Sequence, residues 1–445
     1  MSLPNPFFHR GPVRDHTYFF GREHASSQAL SLLANGQSIA LVGQRRIGKT
    51  SLLFHLADAQ IFTQNGLSAA EHLFAYIDCG GLAGLDQGGL YRILLEEIYD
   101  ALAERGSNSS RLEALDDDRP ITYRVFDRAV RSLSQHGWKL ILILDDFEHL
   151  SHNQQVDPDF FSGLRALAAK YPIAYLTASK WPLLELTYAH ASTLSSPFFN
   201  IFASIRLGLF SEDEARALLT TLAARGGVSF PPAMVDFLLD IAGPHPLFLQ
   251  IAGFHAFELQ RIKGATLTSA DYAELRDIFL SSVEEHFSYY WQNLSTIEQR
   301  ILVTLQTSRD SQPNVVRRLE QACVIVRHGQ RYDSLSSAFR GFVASQPLPG
   351  LLQAGPITID EGQHQILLHG QPINLTSTQY TLLAYLAERS GQVVANDVLE
   401  KVVWGDKYIE DPERLKSVIK GLRQALGSEA TRVENVRGVG YKLLP

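Results

Sequence analysis

The sequence predicts a multidomain protein that opens with a three-layer α/β domain built on a parallel sheet and closes with helical and winged modules. Two observations predict the first part. Strand-like and helix-like runs alternate from residue 38 to residue 177, and the run Gly43-Gln44-Arg45-Arg46-Ile47-Gly48-Lys49-Thr50 falls between the first strand and the first helix of that alternation. A third observation predicts the last part: three helix-like segments near the end of the chain are followed by a hairpin pattern around Arg437-Gly438-Val439-Gly440.

Taken in order, residues 38–42 read as a buried strand and 50–59 as the helix after it. The turn between them matches a P-loop in full. Such a turn aims backbone N–H groups and a helix N-terminus at one point, which suits nucleotide phosphates. Gly43, Gln44, Arg45, Arg46, Ile47, Gly48, Lys49, Thr50 and Ser51 are therefore candidate nucleotide-binding residues, with Lys49 neutralising phosphate charge and Thr50 offering its hydroxyl to Mg²⁺. A strand at 73–78, helices at 89–105 and 122–136, and a polar loop at 108–120 follow. Residues 139–144 (KLILIL) are almost wholly apolar, as a central strand covered on both faces should be, and they end in Asp145-Asp146-Phe147-Glu148. Carboxylates at that end of a central strand form a Walker B pattern. Asp145 is the candidate Mg²⁺ holder, and Asp146 would orient or deprotonate the attacking water, so Lys49 and Asp146 are the candidate catalytic residues. A helix at 159–170 and a strand at 173–177 complete the alternation.

From Ser211 the pattern turns helical. Ser211-Glu212-Asp213-Glu214 is a capping box, and helices are expected at 214–225, 232–241 and 246–263, forming a helical lid. A helix at 284–305 and a short mixed segment lead to Pro347-Leu348-Pro349-Gly350, where residues 347–356 read as a linker. Beyond it come strands at 357–360, 365–368 and 371–375, helices at 378–389, 396–403 and 412–426, and the final hairpin. Three helices and a hairpin make a winged helix. The expected domains are an N-terminal tail (1–17), the P-loop NTPase domain (18–208), the lid (209–270), a winged helix (271–346), the linker (347–356) and a C-terminal winged helix (357–445).

Composition is that of an ordinary soluble chain, 45% hydrophobic and 20% charged, and its 445 residues suffice for several cores. No apolar run spans a membrane and no signal-peptide pattern opens the chain, so a cytoplasmic location is expected. The two cysteines, Cys79 and Cys323, indicate neither a disulfide framework nor a zinc site. The net charge of −7 excludes general coating of nucleic acid. The charge is uneven, however: from Pro412 onward seven basic residues stand against three glutamates. On a helix at 412–426, Leu415, Val418, Ile419, Leu422 and Leu426 share a buried face, Lys416, Lys420 and Arg423 gather on a flank, and Ser417, Gly421 and Gln424 lie outermost. Small outer residues allow close approach to a groove, and basic flanks reach phosphates.

The last ninety or so residues resemble the OmpR/PhoB-type DNA-binding domain, a winged helix-turn-helix. The resemblance rests on the short N-terminal sheet, Leu375-Thr376-Ser377-Thr378-Gln379-Tyr380-Thr381-Leu382-Leu383, Gly391-Gln392-Val393-Val394, Val403-Trp404-Gly405, Leu422-Arg423-Gln424-Ala425-Leu426 and Val436-Arg437-Gly438-Val439-Gly440-Tyr441. It implies double-stranded promoter DNA as partner, with the third helix in the major groove and the wing beside it. Arg414, Lys416, Ser417, Lys420, Gly421, Arg423, Gln424, Arg437 and Tyr441 are the candidate DNA contacts. Residues 18–345 resemble STAND-type ATPases of the AAA+ group, through Phe19-Phe20-Gly21-Arg22-Glu23, Thr177-Ala178-Ser179-Lys180 and Gly243-Pro244-His245-Pro246-Leu247. This resemblance implies ATP/ADP with Mg²⁺, and adds Gly21, Arg22, Lys180 and Pro246 to the nucleotide-binding candidates. Together the two imply an ATP-dependent transcriptional regulator with slow, regulatory hydrolysis, a nucleotide-dependent homo-oligomer and an unknown signal protein or ligand. Two other expectations compete with it. One is a signalling or defence ATPase whose winged helices dock proteins, and the other is an AAA+ origin-binding initiator.

Overall fold

The computed structural model describes residues 3–7, 10–106, 121–188, 197–264, 267–304, 313–329, 331–347, 350–360, 365–405 and 412–445. The chain divides into two compact units, Met1–Ser288 with Arg317–Gly341, and Tyr289–Val316 with Phe342–Pro445. The polar loop expected at 108–120 lies outside the described residues.

The first unit carries a five-stranded parallel sheet made of β1 (Ser38–Gly43), β2 (His72–Asp78), β3 (Lys139–Asp145), β4 (Ile173–Ser179) and β5 (Phe202–Leu207), in the order β2-β3-β4-β1-β5. The central strands β1 and β4 are buried along their whole length, as their continuous apolar runs require. Two separate clusters of buried side chains, one holding Leu142, Leu144 and Tyr175 and the other Leu41, Ile143 and Leu176, show period-2 alternation sending residues to opposite faces. Helices cover both faces, so the expected three layers are present. Helices Glu212–Arg225, Pro232–Ala242 and Pro246–Lys263 form the lid, and the capping box at Ser211 and Glu214 is made in both directions. Gly243 stands at φ 62°, and a Cβ there would collide with the carbonyl of Leu335, so only glycine fits.

Several expectations are corrected. The N-terminal segment, read as a tail, is docked: Phe7 is buried and stacks on Phe230 at 5.8 Å, Asn5 donates to the carbonyl of Phe254, and the N–H of Val13 donates to Ser51 Oγ at 3.0 Å. The helix expected at 284–305 is two helices, Ser269–Gln292 and Thr296–Thr304. Ser295 and Glu298 make reciprocal capping bonds that start the second one. Next come helix Pro313–Gln321, the hairpin β6 (Ile325–His328) and β7 (Arg331–Ser334), and helix Ser337–Ser345, the element order of a winged helix.

In the second unit β8 (Leu351–Ala354) occupies part of the stretch read as linker. It pairs antiparallel with β9 (Ile357–Asp360) across Gly355, whose φ is 58°, so the Gly-Pro pair marks a hairpin turn and not a connector. The sheet continues through β10 (Gln365–Leu368) and β11 (Gln371–Ile373). Helices Ser377–Glu388, Asn396–Trp404 and Pro412–Leu426 follow, with β12 (Val394–Ala395), β13 (Val433–Val436) and β14 (Gly440–Leu443) forming the wing. Leu382, Leu386, Leu399, Leu415, Ile419, Leu422 and Leu443 share one core beneath it. No helix among the described residues is long and apolar enough to cross a membrane.

Candidate functional sites: a phosphate cradle and a basic groove

At the carboxyl end of β1 the chain turns through Arg46 (φ 65°) and Gly48 (φ 98°) into helix Lys49–Ala57. Two left-handed residues so close together curl backbone N–H groups around one point, the geometry of an anion nest. Ile47 is fully buried and anchors the loop. Lys49 is buried, and its Nζ donates to the carbonyls of Gly43 (2.9 Å) and Gln44 (3.2 Å). Burial lowers its pKa, opposed by the negative charges of Glu148, Asp146 and Asp145. Asp145, buried at the end of β3, is raised by burial and steadied in the opposite sense by hydrogen bonds from Thr50 and Tyr76. Its Oδ1 accepts the N–H of Asp146 at 3.0 Å and its Oδ2 the hydroxyl of Tyr76 at 2.9 Å. Asp146 is exposed at φ 48°, a left-handed position that aims a carboxylate away from the strand.

A cavity of about 280 Å³ opens over this loop. Arg45, Arg46, Ile47, Gly48, Lys49, Thr50, Ser51 and Asp146 form one wall of it, and Arg22, Pro246, Leu247 and Gln250 contribute to the rest. Val13, Tyr18, Phe19, Phe20, Phe210 and Leu218 add an apolar lining suited to a flat base. Val13, Phe210, Leu218 and Gln250 escaped the sequence reading, because they converge from distant segments. Arg22 stacks on Phe210 and donates to the carbonyls of Ile47 (3.1 Å) and Gly208 (2.6 Å), so it braces the loop as well as lining the cavity.

Five candidates stand outside the lining. Gly21 (φ 67°) lies against Phe210, where a Cβ would not fit. Gly43 is pressed against the carbonyl of Leu207 on β5. Gln44 turns its amide to the carbonyl of Gln321 at 3.4 Å. Asp145 sits behind Thr50, and Lys180 lies over the ring of Trp181 at 4.7 Å. Of these, Lys180 is near enough to Lys49 for its charge to lower the Lys49 pKa, and Gly21 and Gly43 have close packing in place of a side chain.

The lid carries a titratable group beside the cavity. His245 is fully buried against Phe248, with ring centroids 4.3 Å apart, and burial together with the charge of Arg22 lowers its pKa to about 3. Protonation therefore favours the unfolded chain, and stability present above pH 6.5 is lost as pH falls toward 3. The loss should approach about 1.4 kcal/mol per pH unit across that window. Urea unfolding at pH 7 and 5.5 should show this loss in the wild type and a clearly smaller one in His245→Leu.

In the second unit, helix Pro412–Leu426 buries Leu415, Ile419, Leu422 and Leu426 and exposes Lys416, Ser417, Lys420 and Gln424, as the helical wheel predicts. Lys416 pairs with Glu413 at 2.7 Å. A groove of about 550 Å³ between helix and wing is lined by Lys416, Lys420, Arg423 and Gln424 and, from the wing side, by Asn435 and Tyr441. Asn435 was missed because its exposure depends on where β13 packs. Three candidates have structural partners of their own. Gly421 faces Gln379 of helix Ser377–Glu388, so it serves helix packing. Arg423 is half-buried, its Nε and Nη2 donating to the carbonyl of Val433 at 3.1 and 2.5 Å. Tyr441 is buried in the core and forms the groove floor. Arg414 lies over the Trp404 ring at 4.6 Å, and Arg437 is exposed at the wing tip.

A parallel α/β sheet with a phosphate nest after one strand and a buried carboxylate at the end of another defines a P-loop NTPase, and the last unit carries a winged helix-turn-helix. The model of the family "Novel STAND NTPase 2" matches residues 28–311, more than half the chain, and that of "Transcriptional regulatory protein, C terminal" matches residues 370–443. The chain belongs to the Novel STAND NTPase 2 family and joins it to an OmpR/PhoB-type domain. Among solved structures it is similar to a Walker-type ATPase of Pyrococcus abyssi, at 15% identity and TM-score 0.55 over 76% of this chain and 99% of that one, a likeness of fold. The RstA DNA-binding domain of Klebsiella pneumoniae, solved with its RstA box, is 30% identical over 21% of this chain and 97% of that one, with TM-score 0.20. The sensory transduction protein RegX3 of Mycolicibacterium smegmatis is 36% identical over 97 residues, 21% of this chain and 42% of that protein. The chain thus spans less than half the length of this curated relative. The two family matches support nucleotide binding by the P-loop domain and double-stranded DNA binding by the C-terminal domain.

Proposed function

We propose that this protein is a transcriptional regulator in which the nucleotide held at the P-loop, ATP or ADP with Mg²⁺, controls promoter binding by the C-terminal winged helix. The observation carrying this reading is that one chain joins a phosphate cradle, complete with buried lysine and metal-side carboxylate, to a family-matched DNA-binding domain. The residues fit the nucleotide: Lys49 would face the phosphates, Thr50 and Asp145 would hold Mg²⁺, and Asp146 would position water. The apolar wall at Phe19 and Phe210 suits the base. When bound, Mg²⁺ would offset the negative charge that develops on the phosphate oxygens. Lys416 and Lys420 would meet DNA phosphates, Ser417 and Gln424 base edges, and Arg437 the strand beside the wing. Nucleotide-driven pairing of two copies of the chain, cytoplasmic operation and a slow hydrolysis step belong to the same proposal.

Linkage supplies the test. If nucleotide alters DNA affinity, DNA must alter nucleotide affinity by the same factor, typically about 5- to 150-fold. Calorimetric titration of ADP and of a non-hydrolysable ATP analogue into the protein, with and without duplex from upstream of its own gene, should show DNA favouring one nucleotide. Identical affinities in all four titrations would remove the proposed coupling.

A further inference from the structure

Tyr76 stands on β2, and the proposed reaction gives it no role. Adjacent strands β2 and β3 align Tyr76 with Ile143 and Asp78 with Asp145, so period-2 alternation puts Tyr76 and Asp145 on the same face, diagonally across the pair. The Tyr76 hydroxyl donates to Asp145 Oδ2 at 2.9 Å. Its ring is stacked on Phe54, with centroids 4.8 Å apart and planes at 29°. Phe54 lies four residues after Thr50 on helix Lys49–Ala57, one turn further along the same helix face, and the Arg14 guanidinium lies over its ring at 4.3 Å. The side chain that steers Asp145 is thus held by the helix that presents Thr50, and that helix is touched by the N-terminal segment.

We infer that Tyr76 is a positioning residue for the metal: by holding Oδ2 of Asp145 it fixes the carboxylate toward Thr50 and makes the Mg²⁺ site before Mg²⁺ arrives. With Oδ2 held by the phenol and Oδ1 by the Asp146 N–H, the carboxylate cannot swing about its Cβ–Cγ bond. The remaining lone pairs, beside the Thr50 hydroxyl, are left for a metal-bound water. Outer partners of this kind orient metal-holding carboxylates, and their loss typically weakens metal affinity about 10- to 100-fold. The inference rests on the proposed Mg²⁺–nucleotide site.

The experiment is a Mg²⁺ titration of nucleotide affinity in the full chain, read by fluorescence of a labelled ADP, with excess chelator as the metal-free limit. Tyr76→Phe keeps the ring and its stack and removes only the hydroxyl. It should bind ADP like the wild type in chelator, yet need roughly 10- to 100-fold more Mg²⁺ to reach the tightened state. Asp145→Asn should lose the Mg²⁺ response, and adding Tyr76→Phe to it should change nothing further. Phe54→Leu, which keeps the hydroxyl but frees the ring, should shift the Mg²⁺ requirement in the same direction by less, so the inference stays testable even if one variant folds poorly. A Tyr76→Phe titration that superimposes on the wild type would overturn the inference, as would equal losses with and without Mg²⁺. An Asp145→Asn protein that keeps the full Mg²⁺ response would instead overturn the metal assignment of Asp145, and the role of Tyr76 with it.

Discussion

Lys49→Ala is expected to abolish nucleotide binding at micromolar concentrations while leaving the chain folded. The ammonium is buried and already engaged with the carbonyls of Gly43 and Gln44, so the loop loses its central positive charge where phosphate charge must be met. Removing one partner of a buried charge pair typically costs about 2–5 kcal/mol, a loss on the order of 30- to several thousand-fold in affinity. Fold retention is expected because the alanine stays within the first turn of helix Lys49–Ala57 and relieves a charge whose burial lowers its own pKa. Calorimetry with ADP should show the loss, and circular dichroism an unchanged spectrum. DNA binding should persist in this variant but no longer respond to added nucleotide.

Charge reversal on the recognition helix should have the second large effect. Lys416 and Lys420 are both exposed on one flank of helix Pro412–Leu426, beside the groove formed with the wing. The double variant Lys416→Glu with Lys420→Glu replaces two cations that are proposed to meet DNA phosphates with anions. DNA affinity should fall by at least about 100-fold at moderate salt, and the salt dependence of binding should become shallower by about two phosphate contacts. Arg423 behaves differently. Its guanidinium is bound to the Val433 carbonyl, so Arg423→Ala should loosen the wing and lower the melting temperature more than it changes the salt slope. Nucleotide affinity should be untouched by either change. Full DNA binding by the doubly reversed protein would favour a protein-docking role for the winged helix.

The sheet and the cradle were legible because they are written in local patterns. A run such as residues 140–144 has no polar position, so it fits only a strand covered on both sides, and the P-loop spacing leaves one geometry for its glycines. β5 was not read, since it is an edge strand whose burial alternates and whose Arg206 breaks the apolar run. The N-terminal segment was taken as a tail because nothing periodic marks it. Its attachment rests on single contacts to partners far along the chain, such as Asn5 with Phe254 and Phe7 with Phe230. The same holds at the sites. Helical periodicity placed Lys416, Lys420 and Gln424 on the surface correctly, but it cannot see that the wing carbonyl of Val433 captures Arg423, or that Gln379 faces Gly421. Tyr76 did leave a trace in the sequence, a hydroxyl among the apolar residues 73–77, and a partly buried hydroxyl needs a partner. Which partner it finds is set by the strand register, and that emerges only on folding.

The central claim is that nucleotide identity sets DNA affinity. Fluorescence anisotropy of the full chain on duplex from upstream of its own gene, at fixed salt with Mg²⁺, tests it most directly. Affinity that differs about 5-fold or more between ADP and a non-hydrolysable ATP analogue, with the difference erased by Lys49→Ala, is the predicted result. Equal affinity with both nucleotides, in a protein that binds each of them, would contradict it.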